Sequence, residues 1–236
     1  MLNTLFPYGV LFVFVQLAIA CSPASQRHDG TQTGEQKQHM QPETGTAETT
    51  DRDLVVAFGD SLFAGYKLRQ NEGFVQVLER KLTEMGQPAQ VFNASVSGDT
   101  STAGLQRLAF VLDGLPKKPD LVIVELGGND MLRGINPDRT KKNLTAIMDE
   151  LDRRDINAML AGMVASPNMG TEYAEAFNSI YPELAAQYAV PLYPFILDGV
   201  VGNEKLLLPD GVHPNPEGVE IITSGIGPMV MGILED

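Results

Sequence analysis

The sequence predicts a three-layer α/β/α sandwich whose central sheet has about five parallel strands. From Asp53 onward, short apolar runs alternate with longer segments of helical spacing, as in chains built from β–α–β units. The run at 121–126, LVIVEL, is apolar apart from one glutamate, which is typical of a strand buried on both faces. Because parallel strands require crossover connections, we expect helices to cover both faces of the sheet.

Five segments have the composition of strands. Each is short and rich in aliphatic residues, and the first ends directly before the turn-forming Gly59. The third is followed by a pair of glycines, which stops a strand. We predict strands at 54–58, 90–93, 121–126, 157–162 and 190–193.

The segments between the strands have helical periodicity. In 73–85, for example, Phe74, Val77, Leu78 and Leu82 fall on one face of a helix. We predict helices at 73–85, 100–112, 137–153 (with a proline in its first turn), 171–188 and 216–234, the last interrupted by glycines and Pro228.

The N-terminal residues 1–21 form a separate kind of segment. They carry no charged side chain, and the apolar run at 9–20 has the length of a signal-peptide core. The sequence around Cys21, AIAC, resembles a bacterial lipoprotein signal, in which the cysteine is lipidated and becomes the new N-terminus. It departs from that pattern in having Ala18 where leucine is usual and no Lys or Arg near the start. The alternatives are an ordinary cleaved secretory signal, with no role for Cys21, or an uncleaved membrane anchor.

Residues 22–52 are predicted to be a disordered polar tether. Only Ala24, Met40 and Ala47 are apolar there, so the segment cannot bury enough surface to offset its conformational entropy. His28 and His39 lie in this segment, where we interpret them as solvated spacer residues rather than metal ligands.

The charge and cysteine content restrict the classes of partner. The formal net charge of −13 argues against nucleic acid, because phosphate binding requires a basic surface. A single cysteine excludes an intrachain disulfide and a cysteine-based zinc site. No pattern in the sequence predicts an oligomeric state.

Four polar motifs lie where an α/β fold places its functional loops. GDSL at 59–62 follows the first predicted strand, SGD at 97–99 comes shortly after the second, and GGND at 127–130 follows the third. DGVHP at 210–214 precedes the last helix. A serine, a histidine and an acid drawn from these motifs would form a hydrolytic triad.

These four blocks, in this order, resemble the SGNH (GDSL) hydrolases. The resemblance covers 53–236 and is closest to the bacterial arylesterase, acyl-CoA thioesterase I and lysophospholipase group. It extends to wider stretches of sequence, among them GDSLFAGY, NASVSGDTS, VELGGNDMLRG and LPDGVHPN. It implies a flavodoxin-like sheet, carboxylic-ester hydrolysis and a hydrolase domain at 53–236. There is no Gly-x-Ser-x-Gly elbow, P-loop or Gly-x-Gly-x-x-Gly fingerprint, and we expect no cofactor and no metal.

The resemblance assigns a role to each of five residues. Ser61 is the expected nucleophile, His213 its general base, and Asp210 the acid that orients the imidazole. The backbone N–H groups of Ser61 and Gly98 and the side-chain amide of Asn129 are the expected oxyanion donors. Each of these side chains also has an alternative role. Ser61 could be a helix N-cap, and Asn129 could close a turn. Asp210 and His213 could form a capping pair or bind a metal.

Two further acids flank these residues. Asp60 and Asp130 each adjoin an expected catalytic residue, and we interpret both as structural groups that accept hydrogen bonds from loop backbone. As the triad acid, Asp60 is disfavoured because its side chain should point away from that of Ser61.

The substrate is only coarsely indicated. Apolar residues flank the catalytic motifs and suggest an acyl pocket, although they could equally be packing residues: Leu62, Phe63, Met131, Leu132, Pro167 and Met169. Export argues against acyl-CoA, so we expect an exported esterase or lysophospholipase acting on a small acyl ester or lipid. We expect a lipoprotein anchored to the membrane and facing the periplasm, or otherwise a periplasmic or secreted protein. The alternatives are a carbohydrate or envelope acetylesterase and a non-catalytic lipoprotein binding module.

Overall fold

The computed structural model describes residues 52–235. The predicted signal segment, Cys21 and all but the last residue of the predicted tether lie outside the described residues. Within 52–235, five strands form one parallel sheet in the order β2-β1-β3-β4-β5. The strands are β1 (Asp53–Gly59), β2 (Ala89–Asn93), β3 (Leu121–Glu125), β4 (Ala158–Ala161) and β5 (Leu192–Tyr193).

Helices cover both faces of this sheet, which confirms the predicted three-layer α/β/α architecture. α2 packs against α8 on one face, and α3 packs against α5 on the other. The helices are α1 (Ser61–Ala64), α2 (Phe74–Glu84), α3 (Ser101–Asp113), α4 (Gly128–Leu132), α5 (Pro137–Arg153), α6 (Thr171–Asn178), α7 (Ile180–Tyr188) and α8 (Pro216–Glu235). Short 3-10 turns occur at Gln70–Glu72, Pro167–Met169 and Glu204–Leu206.

The strand order creates a switch point between β1 and β3. From β1 the chain crosses to β2 on one side, and then returns across β1 to build β3, β4 and β5 on the other. At such a reversal the loops after the two central strands diverge and leave a crevice at their carboxyl ends. The GDSL and GGND motifs follow β1 and β3, so both lie at this crevice.

Two predicted helices differ from the structure. The predicted helix 171–188 is divided at Ser179 into α6 and α7. Pro182 explains the break, because a proline has no N–H and its ring clashes with the carbonyl of the residue four positions earlier. The predicted interruption of the last helix is wrong, since α8 runs through Pro228.

The packing of α8 explains why it continues. An internal proline costs about 3 kcal/mol. Burying an aliphatic side chain contributes about 1.5–3 kcal/mol, and α8 buries Val219, Ile222, Ile226 and Val230. It is the one helix of the described residues long and apolar enough to span a membrane, and this buried face makes it a core helix of the domain.

Candidate active site

Ser61 lies at the turn that connects β1 to the short helix α1. Asp60 Oδ1 accepts a hydrogen bond from the Leu62 N–H at 3.1 Å, and the Asp60 N–H donates to Glu125 Oε2 at 3.2 Å. A β-carbon on Gly59 would lie 2.6 Å from that Glu125 oxygen, so the close approach of β1 and β3 requires glycine here. The turn is therefore fixed on both sides, and Ser61 Oγ is held above the carboxyl end of the sheet.

The structure brings Ser61, His213 and Asp210 together in one hydrogen-bonded chain. His213 Nε2 lies 2.9 Å from Ser61 Oγ, and His213 Nδ1 lies 3.1 Å from Asp210 Oδ2. An ionised carboxylate can only accept hydrogen bonds, so the proton of the neutral imidazole resides on Nδ1. Nε2 is then the acceptor for the serine hydroxyl, which is the arrangement that a general base requires.

Asp210 also organises the turn that carries the histidine. Its Oδ1 accepts hydrogen bonds from the backbone N–H groups of His213 at 3.0 Å and Val212 at 3.1 Å. The hydrogen bond from the His213 N–H is the largest of the effects that lower the pKa of Asp210 to about 2. The carboxylate is therefore ionised at every pH at which imidazole exchanges protons.

Asn129 lies in the short helix α4, directly after the glycine pair that ends β3. Gly127 has φ of 120°, and a β-carbon there would lie 2.3 Å from the Tyr181 hydroxyl, so only glycine fits this turn. Asn129 Nδ2 donates to Asp60 Oδ2 at 2.9 Å. Because the carboxylate accepts, this contact identifies which end of the amide carries the N–H groups. Asp60 accepts one of the two N–H groups of Asn129, and among residues 52–235 this amide has no second hydrogen-bond acceptor.

Gly98 lies in a tight turn after β2, with φ of 87°. The Asp99 N–H closes this turn on the Val96 carbonyl at 3.1 Å, and Arg133 Nη2 donates to the Gly98 carbonyl at 2.8 Å. Among residues 52–235, the Gly98 N–H donates no hydrogen bond to another backbone group. Gly98, Ser61 and Asn129 line the same cavity.

This cavity has a volume of about 350 Å³ and is mostly apolar. Three of the residues predicted to flank it do line it: Leu62, Met131 and Leu132. Phe63 does not, because it is 1% exposed and its ring is stacked on Phe74 in the core. Pro167 and Met169 do not line the cavity either. Four other residues that were not predicted from the sequence also line it: Tyr66, Met163, Leu197 and Val212.

Two buried carboxyl groups lie behind Asn129. Glu125 is 1% exposed at the end of β3, and Asp60 is 2% exposed beside it. Burial raises the pKa of both groups, and the neighbouring Asp60 charge helps to raise that of Glu125 well above its ordinary value. Hydrogen bonds from Leu62 and Asn129 oppose the rise at Asp60. Burial therefore favours the protonated form of Glu125, the group whose pKa is raised more strongly.

Asp60 and Asp130 have the backbone contacts predicted for them. The expectation that the Asp60 side chain points away from Ser61 is wrong, since Asp60 Oδ1 lies 3.5 Å from Ser61 Oγ. Asp130 is fully buried and accepts hydrogen bonds from the Ser101 N–H at 2.7 Å and the Thr140 hydroxyl at 3.0 Å. Glu125 was not singled out by sequence reasoning, although a charged residue inside an otherwise apolar strand is a usable signal. Among residues 52–235, no group of three His, Cys, Asp or Glu side chains is arranged to hold a metal.

Comparisons with known proteins identify the family to which the chain belongs. The model of the GDSL-like Lipase/Acylhydrolase family matches residues 57–221. The chain is 40% identical over 169 residues to the esterase TesA of Pseudomonas aeruginosa, covering 72% of this chain and 83% of that protein. It is 38% identical over 170 residues to the thioesterase 1/protease 1/lysophospholipase L1 of Escherichia coli, covering 72% and 79% of the two chains.

A solved structure places the chain in the same family. AlinE4, a SGNH-hydrolase family esterase, is 49% identical to this chain and superimposes with a TM-score of 0.67. The match covers 76% of this chain and 95% of AlinE4. The protein described here therefore belongs to the GDSL-like lipase/acylhydrolase family of SGNH hydrolases and is a carboxylic-ester hydrolase.

Proposed function

We propose that this protein is an exported serine esterase that hydrolyses acyl or aryl esters through an acyl-enzyme formed on Ser61. The observation that carries the proposal is the hydrogen-bonded chain from Ser61 Oγ through both ring nitrogens of His213 to Asp210. A serine hydroxyl is a weak nucleophile until an adjacent base accepts its proton, and His213 is positioned as that base.

In the first half of the reaction, Ser61 Oγ bonds to the ester carbonyl carbon while its proton moves to His213 Nε2. The carbonyl oxygen becomes an oxyanion, which accepts hydrogen bonds from the Asn129 amide and the N–H groups of Gly98 and Ser61. When the tetrahedral intermediate collapses, the bond to the leaving oxygen breaks and His213 donates its proton to that oxygen. Asp210 stabilises the imidazolium throughout.

The second half repeats these steps with water. His213 Nε2 takes a proton from a water molecule, and the resulting hydroxide oxygen bonds to the acyl carbon. Collapse of this intermediate breaks the bond to Ser61 Oγ and returns the proton to it. The products are a free carboxylic acid and the regenerated serine.

The shape and lining of the cavity support an acyl chain as the group bound beside Ser61. An alkyl chain that moves from water into an apolar cavity gains about 0.8 kcal/mol of binding free energy for each buried CH₂. A volume of about 350 Å³ suits a short or medium chain. Thioesters and lysophospholipids present the same acyl carbonyl and are further substrates of this proposal.

The test uses p-nitrophenyl esters from acetate to palmitate, with Ser61→Ala as the control. We expect hydrolysis and fluorophosphonate labelling by the parent and neither by the variant. A maximum at intermediate chain length would support an acyl-chain pocket, and activity confined to acetate would favour the acetylesterase alternative. A folded parent that hydrolyses no ester and takes no label would refute the serine-esterase mechanism.

We also propose that the protein is exported and anchored through a lipid on Cys21. The support is the uncharged apolar segment that ends at the single cysteine of the chain, followed by a polar stretch long enough to act as a tether. An anchor on a polar tether would hold the hydrolase domain close to a membrane, where lipid-derived esters are concentrated.

A further inference from the structure

The guanidinium of Arg107, on α3, contacts three separate segments beneath the active site. Its Nη2 donates to the Gly59 carbonyl at 3.1 Å, its Nη1 donates to the Ala94 carbonyl, and its Nε donates to Asp99 Oδ2 at 2.6 Å. These groups belong to the end of β1, the segment that follows β2, and the turn that carries Gly98.

Two of the three contacted segments lead directly to a proposed catalytic group. Gly59 precedes Ser61 by two residues, and Asp99 directly follows Gly98. Among residues 52–235, one backbone hydrogen bond joins the Gly59 carbonyl to the Gly98 turn, from the Val96 N–H at 3.1 Å. Arg107 therefore supplies a second link between the nucleophile turn and the oxyanion turn, and it does so through a rigid planar group.

The surroundings of Arg107 strengthen these contacts. Its guanidinium carbon lies 4.2 Å from the centre of the Phe58 ring, and its side chain is 19% exposed. Asp99 is 12% exposed and neutralises the charge. Hydrogen bonds to an ionised group are about twice as strong as neutral ones, and screening by water is weak at this degree of burial.

We propose that Arg107 is a positioning residue that holds the Gly98 N–H at the distance from Ser61 that oxyanion stabilisation requires. The inference rests on the proposed function. Oxyanion donors act when they lie about 2.7–3.1 Å from the developing charge, and a misplacement of about 1 Å can reduce the rate by about 10²-fold. The exposed Arg133 donates to the Gly98 carbonyl, so a second arginine also contacts this turn.

The experiment compares Arg107→Gln, Arg107→Lys and Asp99→Asn in the full-length protein, with Arg153→Gln as a control on the exposed surface of α5. The kcat for p-nitrophenyl butyrate is measured per site labelled by a fluorophosphonate, so that a misfolded fraction does not count as slow chemistry. We expect Arg107→Gln to lower kcat by on the order of 10- to 10²-fold while KM changes by less than about twofold.

The other variants separate positioning from general stability. Lysine keeps the charge but lacks the planar fork, so Arg107→Lys should lose an intermediate part of kcat. Asp99→Asn should also lower kcat, because it weakens the contact between Arg107 and Asp99. The double variant Arg107→Gln/Asp99→Asn should have the same kcat as Arg107→Gln alone, since both changes remove the same contact. The Arg153→Gln control should have the parental kcat.

Three outcomes would overturn the inference. The first is a parental kcat per labelled site in Arg107→Gln. If Arg107→Gln does not fold, the equivalent outcome is a parental kcat in both Arg107→Lys and Asp99→Asn. The second is a raised KM at unchanged kcat, which would place Arg107 in substrate binding. The third is full additivity in the double variant. In each of these cases the proposed function still holds if the parent protein hydrolyses the ester and this activity requires Ser61. A parent that is folded but inactive would refute the proposed function itself.

Discussion

Asn129 Nδ2 donates a hydrogen bond to the buried carboxylate of Asp60 across 2.9 Å, so the residue before the nucleophile orients an amide in the short helix that follows the neighbouring strand β3. This contact fixes the rotation of the Asn129 side chain, because an amide turned by 180° would place two oxygens against each other. The GDSL and GGND motifs are therefore one structural unit, connected across the switch point between β1 and β3.

The first prediction concerns Asp60→Asn. An asparagine at this position can donate as well as accept, so it no longer dictates the orientation of Asn129. We expect kcat to fall by about 10- to 10²-fold with KM nearly unchanged, measured with p-nitrophenyl esters. Asp155→Asn, at a fully exposed aspartate with φ of 55° that asparagine tolerates, is the matched control and should have parental kinetics. Equal kcat values for the two variants would contradict the orienting role.

The second prediction concerns Asn129→Ala, which removes the proposed side-chain donor. Loss of one oxyanion donor lowers kcat by about 10²–10³-fold, or about 2.7–4 kcal/mol of transition-state stabilisation. The change should appear in kcat and kcat/KM equally, because the interaction forms only in the transition state. A parental kcat would make Asn129 a residue of the turn alone.

The third prediction concerns Asp210 and pH. Hydrogen bonds from the backbone N–H groups of His213 and Val212 hold the pKa of this carboxyl at about 2 in the folded protein, below its ordinary value of 3.8. The stability that this depressed pKa contributes is present above 3.8 and is lost as the pH falls through about 2. The pH profile of kcat/KM should therefore show no inflection from Asp210 between about pH 4 and pH 9.

Replacing this acid tests its role directly. Asp210→Asn keeps the acceptor for the backbone but removes the charge that stabilises the imidazolium. We expect kcat to fall by about 10²–10⁴-fold, the upper figure being typical of a fully buried triad acid. Circular dichroism should show an unchanged fold. A folded variant with parental kcat would mean that another group orients His213.

The fourth prediction concerns the buried Glu125. Burial and the neighbouring Asp60 raise its pKa well above 4.5, so the folded protein binds a proton that the unfolded chain releases. Stability must then decrease as the pH rises above 4.5 towards the raised value, by at most about 1.4 kcal/mol per pH unit. Glu125→Gln carries no titrating proton, and its side-chain oxygen can still accept from the Asp60 N–H. Urea unfolding at about pH 5 and pH 7 should show a smaller decrease in the variant than in the parent.

The fifth prediction concerns the proposed anchor. If Cys21 carries a lipid, Cys21→Ser should move the protein from the membrane fraction to the soluble exported fraction, with its esterase activity unchanged. Cell fractionation followed by an esterase assay measures both. Membrane association that persists in the variant would favour an uncleaved apolar anchor over lipidation.

The sequence by itself determined where the strands and most helices lie and which motifs carry the chemistry, because both depend on local features. Apolar periodicity placed β1, β3 and α5, and the glycines next to Ser61 and Asn129 marked the loops that follow buried strands. The break between α6 and α7 was also local, and Pro182 was the available signal.

The tertiary structure decided which side chains meet. Ser61 and His213 are 152 residues apart in the chain, and their 2.9 Å contact depends on how the turn before α8 folds back over the end of the sheet. The pairing of Glu125 with the Asp60 N–H follows from the register of β1 with β3, which no local pattern specifies. The contacts of Arg107 join three segments in the same way. Apolar periodicity in the sequence indicates which face of a helix or strand is buried. Strand order and register determine which side chains pack against that face.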